Sequence, residues 1–403
     1  MITGFVLGLS LLVLVSFIVD IISDKIKTPS VILLMGVGII LHYSLNALYM
    51  EQAVRILPII GTFALILVVI EAGFDLDYEP QKRSLILKAL FSAFFNVAAC
   101  LGVITAIIYY YYDDTLLKSL IHAIPFSIVS SAIAIPTAKP LDPASKEFLT
   151  YETVFSDVFG ILLFNLFITT NVLDASIVMA FTGNLVISVV LSFILSMLLV
   201  YVMKHVRHKV RFVPIFSALI LIYALGKYLN LPLLITMMVF GLVLNNIEDF
   251  HFGRFHIQVD KALKNRINHF KRLTHELTFV VRGLFFMMFG YRLDLTQFLN
   301  PWLLLVVIGL IIFVFAIRLG LLKAVRADVS DAVGFIAPRG LISILLALGI
   351  PEKHLIPGFH NEILDIFIIA SILIQLVVRK YVVDDIQPPQ VKQLVMKFTG
   401  RSR

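Results

Sequence analysis

The sequence predicts an all-α polytopic membrane protein with about thirteen transmembrane helices. Of its 403 residues, 60% are hydrophobic and only 15% are charged, and the mean hydropathy is +0.98. Soluble domains are roughly 45–50% apolar and roughly 25% charged, so this composition excludes an ordinary soluble domain. Apolar runs long enough to cross a bilayer recur along nearly the whole chain. A few charged residues lie inside these runs, where charge is costly.

The apolar runs give the predicted spans in order. They lie near residues 2–20, 29–45, 54–74, 84–112, 118–138, 150–171, 176–203, 212–229, 231–248, 274–291, 297–322, 330–350 and 362–383. The first run lacks the small-residue cleavage site of a signal peptide and is predicted to be a retained span. Only Asn230 and Pro232 separate the eighth run from the ninth.

Basic residues predict the orientation of the spans. If the N-terminus is outside, most of the 33 Lys and Arg residues fall in loops on the cytoplasmic side. The net charge of +7 then reflects topology, and no nucleic-acid partner is expected. The longest loop, His251 to Arg272, is basic, and we expect it to be amphipathic and cytoplasmic. Residues 384–403 are expected to form a short cytoplasmic tail.

Two predicted spans contain matching interruptions. The fifth carries Ser130-Ser131-Ala132-Ile133-Ala134-Ile135-Pro136, and the twelfth carries Gly334-Phe335-Ile336-Ala337-Pro338-Arg339-Gly340. Each is followed by one further span in its half of the chain. If the seventh span is a linker, spans one to six and eight to thirteen form inverted repeats. Discontinuous helices at matching positions indicate the binding site of a transporter.

Asp157 is the best candidate for an ion ligand, because it lies well inside an apolar helix. A carboxylate there normally faces a cavity and indicates an ion or proton path. Burial favours the protonated form of a carboxyl group, so a proton and a hard cation can compete for the same oxygen atoms. Ser156 is its neighbour, and Ser130, Ser131 and Glu71 are candidates for the rest of the shell. The alternative is that Asp157 pairs with Arg282 and only holds helices together.

Other buried charges need partners. Glu152 and Asp157 are about 140° apart around a helix and are expected to have different partners. Arg339 flanks a helix interruption, and an ion pair with Glu152 would satisfy both charges. Arg282 is deep in the tenth span and is a possible charge partner of Asp157. Arg318 is nearer a span end and is expected to extend to the membrane surface.

Metal centres of the usual kinds are not expected. Cys100 is the only cysteine, which excludes a disulfide within the chain and a multi-cysteine site. Most of the histidines fall in predicted loops, so a histidine site within the spans is not expected. No cofactor is predicted. The spans also lack a set of nucleophile and base, which disfavours a membrane-embedded enzyme.

Four stretches together resemble the monovalent cation:proton antiporters, in particular sodium/proton exchangers of the NhaP and NHE type. They are Ile70-Glu71-Ala72-Gly73-Phe74-Asp75-Leu76-Asp77, Glu152-Thr153-Val154-Phe155-Ser156-Asp157, Phe285-Phe286-Met287-Met288-Phe289-Gly290-Tyr291-Arg292-Leu293-Asp294 and Pro338-Arg339-Gly340-Leu341. The resemblance implies an NhaA-like antiporter fold with two crossing discontinuous helices in a domain spanning 1–383. It also implies a homodimer in the lipid membrane, with core helices at about 84–171 and 274–383 and dimerisation helices at about 2–74 and 176–248.

By this resemblance, Asp157 binds the cation, Glu152 pairs with Arg339, and Glu71 helps to hold the ion. Two departures stand out. Ser156 replaces the commoner Asn, and Ala132-Ile133-Ala134 follows Ser130-Ser131 where the family usually has T-D-P. The second acid of the ion site is therefore missing.

The sequence predicts a secondary transporter in the plasma or inner membrane that exchanges Na⁺, or another monovalent cation, for H⁺. With one titrating acid, the exchange is expected to be electroneutral. Three alternatives stay open because of the altered fifth span: a K⁺-preferring antiporter, a leak, and a related protein with altered or no exchange activity, such as a solute sensor.

Overall fold

A computed structural model describes residues 2–26, 28–44, 47–76, 80–138, 140–170, 175–205, 212–228, 234–247, 261–325 and 329–378. Regular structure in these residues is helical throughout, which confirms the all-α prediction. The α-helical segments are α1 Ile2–Ile26, α2 Ser30–Ser44, α3 Ala47–Phe74, α4 Arg83–Tyr112, α5 Leu116–Ser127, α6 Ser131–Thr137, α7 Pro143–Thr169, α8 Ala175–His205, α9 Phe212–Tyr228, α10 Leu234–Asn245, α11 Lys261–Arg292, α12 Pro301–Val325, α13 Ala332–Phe335, α14 Leu341–Leu348 and α15 Glu362–Val378. Short 3₁₀ turns lie at Pro80–Lys82, Leu295–Leu299 and Glu352–His354.

Several of these segments can cross a bilayer. Among the described residues, five are long and apolar enough by length and composition: Arg83–Tyr112, Leu116–Thr137, Pro143–Thr169, Thr182–Tyr201 and Pro301–Val325. Shorter apolar helices lie at Ser10–Ser23, Ser30–Ser44, Ile59–Phe74, Ile215–Ala224 and Ile235–Asn245. The protein is therefore an integral multi-pass membrane protein. The count of thirteen spans, the inverted repeat and the orientation of the termini stay predictions.

Helix α4 shows how its sequence fits a lipid environment. Its small residues Ala89, Ala93 and Cys100 are buried at helical spacing, whereas Phe91 and Phe95 are about half exposed. Lipid solvates aromatic side chains well, so a membrane helix has little reason to bury them. Small residues instead let neighbouring backbones approach closely.

Helix α7, which carries both Glu152 and Asp157, begins at a well-defined cap. Asp142 Oδ2 accepts the Ser145 N–H at 3.0 Å, and Pro143 occupies the first helical position, where its fixed φ suits a helix start. Partial burial alone would raise the pKa of Asp142, but the hydrogen bonds from Ser145 outweigh it and hold the pKa below its usual value. The N-terminus of α7 is thus stabilised by a charged cap.

The chain divides into two compact units. The first contains the described residues within Met1–Pro58, Arg83–Gly160 and Gly283–Arg403, and the second those within Ile59–Lys82 and Ile161–Arg282. In the second unit, α3 and α10 approach so closely that a Cβ on Gly73 would lie 2.4 Å from the Met238 carbonyl oxygen. The predicted division into core and dimerisation helices stays a prediction.

Helix α11 differs from the predicted span at 274–291, because it begins at Lys261. Its first turns bury Leu263, Ile267 and Phe270, three or four residues apart, and expose Lys261 and Arg272. Part of the predicted basic connector is therefore an amphipathic extension of the helix. Positions 251–260 of the connector, the break at Asn230 and Pro232, and the tail 384–403 lie outside the described residues.

Candidate functional site

Two helices are interrupted where the sequence predicted interruptions. The backbone is extended at 128–130, between α5 and α6, and non-helical at 336–340, between α13 and α14. Pro338 lies in the second interruption and disfavours a helical conformation in the preceding residue. The first interruption falls between Pro125 and Pro136. Both segments expose backbone groups that helices would have satisfied.

The two interrupted segments bind one another. The Ser130 N–H donates to the Pro338 carbonyl oxygen at 2.8 Å, and Arg339 Nε donates to the Phe126 carbonyl oxygen at 3.0 Å. A Cβ on Gly340 would lie 2.7 Å from Ser130 Oγ and 2.6 Å from the Ile133 side chain, so a larger residue would force these side chains to shift. The result is a crossing point, formed by residues 128–131 and 337–340.

Asp157 reaches this crossing point from α7. Its side chain is buried, and Oδ2 accepts the Ser131 N–H at 3.1 Å. Oδ1 has no hydrogen-bond partner among the described residues, and neither has the buried Ser130 Oγ. A buried carboxylate oxygen without a donor is costly, because its desolvation is not offset. The structure therefore brings Asp157, Ser130 and Ser131 together, with two oxygen atoms uncommitted.

Ser156 anchors the same segment. Its Oγ accepts the Val129 N–H at 2.9 Å, so Ser156 and Asp157 satisfy successive parts of the interruption between α5 and α6. A hydroxyl oxygen that accepts one bond keeps a second lone pair. Ser156 thus positions the crossing point and remains a candidate ligand.

Glu152 pairs with Arg318, and this corrects the expected pair with Arg339. Arg318 Nη2 lies 2.6 Å from Glu152 Oε2 and Nη1 lies 3.1 Å from Oε1, a bidentate arrangement. Ser92 Oγ adds a hydrogen bond to Oε1 at 2.7 Å. Arg318 is 1% exposed, so the expectation that it extends to the membrane surface is also wrong. The carboxylate of Glu152 offsets the desolvation of Arg318.

Arg339 binds backbone carbonyl groups. Besides Phe126, it donates from Nη1 to the Ala337 carbonyl oxygen at 2.6 Å, and its guanidinium lies 5.2 Å from the centre of the Phe367 ring. Phe126 is in the last turn of α5, where carbonyl groups lack helical donors and carry partial negative charge. Arg339 therefore caps α5 with a positive charge, while its Nη2 is buried without a hydrogen-bond partner among the described residues.

Glu71 and Arg282 belong to the second unit, whereas Asp157 belongs to the first. Glu71 Oε1 lies 2.8 Å from His275 Nδ1, a partly exposed pair. Its role in a shared ion shell stays a prediction, as does the pairing of Arg282 with Asp157. Within the described residues, no three His, Cys, Asp or Glu side chains converge on one point.

Sequence reasoning missed Ser92 and misplaced Arg318. Ser92 and Asn96 lie four apart on the buried side of α4, and buried polar residues at helical spacing are a usable signal for a buried partner. Arg318 lies two turns before the end of α12. The predicted span ended at residue 322, only one turn beyond Arg318, so the sequence placed this residue too close to the membrane surface.

Comparisons with known proteins identify the family and the fold. The family model described as sodium/hydrogen exchanger, transmembrane, matches residues 10–383. A structure of the sodium proton antiporter MjNhaP1 from Methanocaldococcus jannaschii at pH 8 matches with a TM-score of 0.71 and 17% identity over 100% of both chains. A second structure of MjNhaP1, from electron microscopy, matches with a TM-score of 0.67 and 14% identity over 100% of this chain and 99% of that one. Comparison with curated protein sequences gave no match.

The fold and the crossing of two interrupted helices define a secondary transporter of the cation:proton antiporter class. Within that class, the chain belongs to the sodium/hydrogen exchanger family. Its substrates are accordingly a cation and protons. The identity to MjNhaP1 is low, so that likeness shows the fold.

Proposed function

We propose that this protein exchanges Na⁺, or another monovalent cation, for H⁺ by alternating access, with Asp157 as the group that binds each in turn. The observation that carries this proposal is the uncommitted Oδ1 of Asp157, buried at the crossing point. A proton on Asp157 or a cation beside it removes the cost of a bare buried carboxylate. Either form can move with the surrounding helices, whereas the bare carboxylate is the unfavourable form.

The ligand set is built from oxygen atoms around Asp157. Ser130 Oγ has no hydrogen-bond partner among the described residues, and Ser156 Oγ retains acceptor capacity. Hard monovalent cations take such oxygen ligands. Glu71 is a further proposed ligand, on the basis of the family resemblance.

Electroneutral exchange is supported by the state of the other buried charges. Glu152 and Arg318 neutralise each other, and Arg339 is committed to carbonyl groups. The family's second acid is absent at Ala132-Ile133-Ala134. One acid therefore remains at the crossing point to exchange one proton for one cation.

The experiment is a proteoliposome assay with an internal pH dye. Na⁺, Li⁺ or K⁺ is added outside at a fixed pH gradient, and the initial rate of pH change is measured for each. Na⁺ or Li⁺ should collapse the gradient, and an ionophore-treated sample sets the full signal. A response to K⁺ alone would favour the K⁺-preferring alternative, and no response to any of the three would contradict exchange.

We also propose that the protein is a homodimer in the plasma or inner membrane and that its N-terminus lies outside. They depend on the resemblance and on the distribution of basic residues. Crosslinking in native membranes and cysteine labelling at either terminus test them directly.

A further inference from the structure

Gln375 on α15 has one end of its amide group committed and the other end free. The side chain is fully buried, and Nε2 donates to the Ile133 carbonyl oxygen at 3.3 Å. A carbonyl oxygen only accepts, so the amide nitrogen must be the end that faces Ile133. The orientation of the amide group therefore follows from its neighbour.

The free end is the amide oxygen. Gln375 Oε1 is buried and has no hydrogen-bond partner among the described residues. An acceptor in this position has lost water without gaining a donor, which is costly. Because Nε2 is anchored on α6, the oxygen is held in place beside that helix. A ligand that accepts electrons, such as a cation or the hydrogen atoms of a water molecule, would satisfy it.

The adjacent turn of α6 supplies more oxygen atoms of the same kind. Pro136 lies inside α6 and has no N–H, so it cannot donate to the carbonyl of Ala132, four residues earlier. Ala132 is the chain neighbour of Ile133, which binds Gln375. Ser130, at the N-terminal cap of α6, has an Oγ without a partner in the described part of the chain, and the Ser131 N–H binds Asp157. Acceptor oxygens thus follow α6 from Asp157 towards Gln375.

We propose that Gln375 Oε1 and the carbonyl oxygen of Ala132 form a second subsite for a partly dehydrated monovalent cation, adjoining the site at Asp157. The cation rests there before it reaches the carboxylate or after it leaves. The inference depends on the proposed function, because it assumes that the passing ion is a cation. Neutral oxygen ligands hold a monovalent cation less strongly than a carboxylate does, which suits a transient site.

The subsite adds selectivity that Asp157 alone cannot provide. A carboxylate with few fixed neighbours discriminates poorly by size, whereas an oxygen held by an anchored amide has a set position. The Gln375 subsite therefore discriminates among Li⁺, Na⁺ and K⁺. This gives Gln375 a role that a purely structural residue would not have.

The test compares Gln375→Met with the unchanged protein in two assays. Methionine has a similar length but lacks the amide oxygen. The first assay measures the apparent KM and maximal rate for Na⁺, Li⁺ and K⁺ in proteoliposomes, and the second measures equilibrium binding of radioactive Na⁺ in detergent. We expect the Na⁺ binding constant and KM to weaken by about fivefold or more and the order or spacing of the three ions to change, with the maximal rate within about twofold.

Thr105→Val provides the matched control. Thr105 Oγ1 on α4 is also buried and has no hydrogen-bond partner among the described residues. It lies thirteen residues beyond Ser92 along α4. This variant should leave KM, Na⁺ binding and the ion order unchanged. An equal change in Thr105→Val would overturn the proposal, because any buried orphan oxygen would then have the same effect.

A second variant keeps the proposal testable if Gln375→Met fails to fold. Gln375→Asn keeps the amide and withdraws it from α6, so it should weaken Na⁺ binding in the same direction. Wild-type Na⁺ binding and ion order in the folded variants would overturn the proposed subsite. Lower thermal stability with unchanged Na⁺ binding would also overturn it, because the oxygen would then bind only water. The proposed function fails separately, if the unchanged protein binds Na⁺ but moves no protons.

Discussion

Helix α7 carries two buried carboxylates five residues apart that differ in almost every respect. Glu152 accepts two hydrogen bonds from Arg318 and one from Ser92. Asp157 accepts one backbone N–H through Oδ2, and its Oδ1 has no partner among the described residues. Both lie on the same helix in the same unit, so burial alone does not explain the contrast. The neighbouring elements, α4 and α12 for one and the crossing point for the other, account for it.

In the proposed mechanism, Glu152 is a structural charge and Asp157 is the charge that exchanges ligands. Removing the Glu152 carboxylate would leave the buried Arg318 without its charge partner, which is costly. A proton on Asp157, or a cation beside it, satisfies an oxygen that has no partner among the described residues. A carboxylate that exchanges ligands must not be fully satisfied by the protein, and of these two only Asp157 meets that condition.

The largest predicted effect is on exchange. Asp157→Asn should lower the initial exchange rate by about a hundredfold or more, because an amide neither titrates nor attracts a cation. Asn is close in size to Asp, and it retains an oxygen to accept the Ser131 N–H, so the thermal unfolding midpoint should not fall. Dye-based flux and thermal unfolding are measured on the same preparation. Exchange close to the wild-type rate would end the assignment of Asp157.

The second prediction concerns the pair on the other side of α7. Arg318→Met should destabilise the protein by about 3–5 kcal/mol, because Glu152 is left charged and buried. Adding Glu152→Gln should recover part of this loss. Unfolding of the two single variants and the double variant gives the coupling energy. Strictly additive losses would show that the pair is not the unit we describe.

A third prediction tests the cap on α5. Arg339→Lys keeps the charge, but lysine lacks the planar guanidinium group that binds both the Phe126 and the Ala337 carbonyl groups. We expect a loss of about 1.5–3 kcal/mol, the scale of one charged hydrogen bond. The loss should be smaller than that of Arg318→Met, because no carboxylate is stranded. Unfolding of both variants side by side measures the difference, and a larger loss in Arg339→Lys would reverse the assigned roles.

The smallest predicted effect lies at the start of α7. Asp142→Ala should cost about 1 kcal/mol through the lost cap. Since the folded pKa is below its usual value, the cap stabilises the protein above the unfolded pKa of about 3.9 and is lost as the pH falls through the lowered folded pKa. The difference in unfolding free energy between the wild-type protein and Asp142→Ala should therefore shrink in strong acid. A constant difference would argue against the charged cap.

The sequence predicted the crossing point better than the charge pairs. Prolines, glycines and serines near Ser130 and Pro338 interrupt helices locally, so their effect is readable without tertiary information. Asp157 was conspicuous as an acid in an apolar run. The partner of Glu152 was not readable, because Arg282, Arg318 and Arg339 all lie within apolar stretches and pairing depends on how helices pack. The start of α11 was missed because hydropathy detects its apolar half and not its amphipathic half.

The central claim is that a single carboxylate exchanges one proton for one cation, and the direct test is the effect of membrane potential on exchange. Proteoliposomes are clamped at zero or at a negative potential with K⁺ and valinomycin, under conditions where K⁺ itself is not transported, and the Na⁺-driven proton flux is measured. We predict equal rates at both potentials and no steady-state current. A rate that rises several-fold with potential, or a current that persists, would show that a second charge moves with each cycle and would contradict the account.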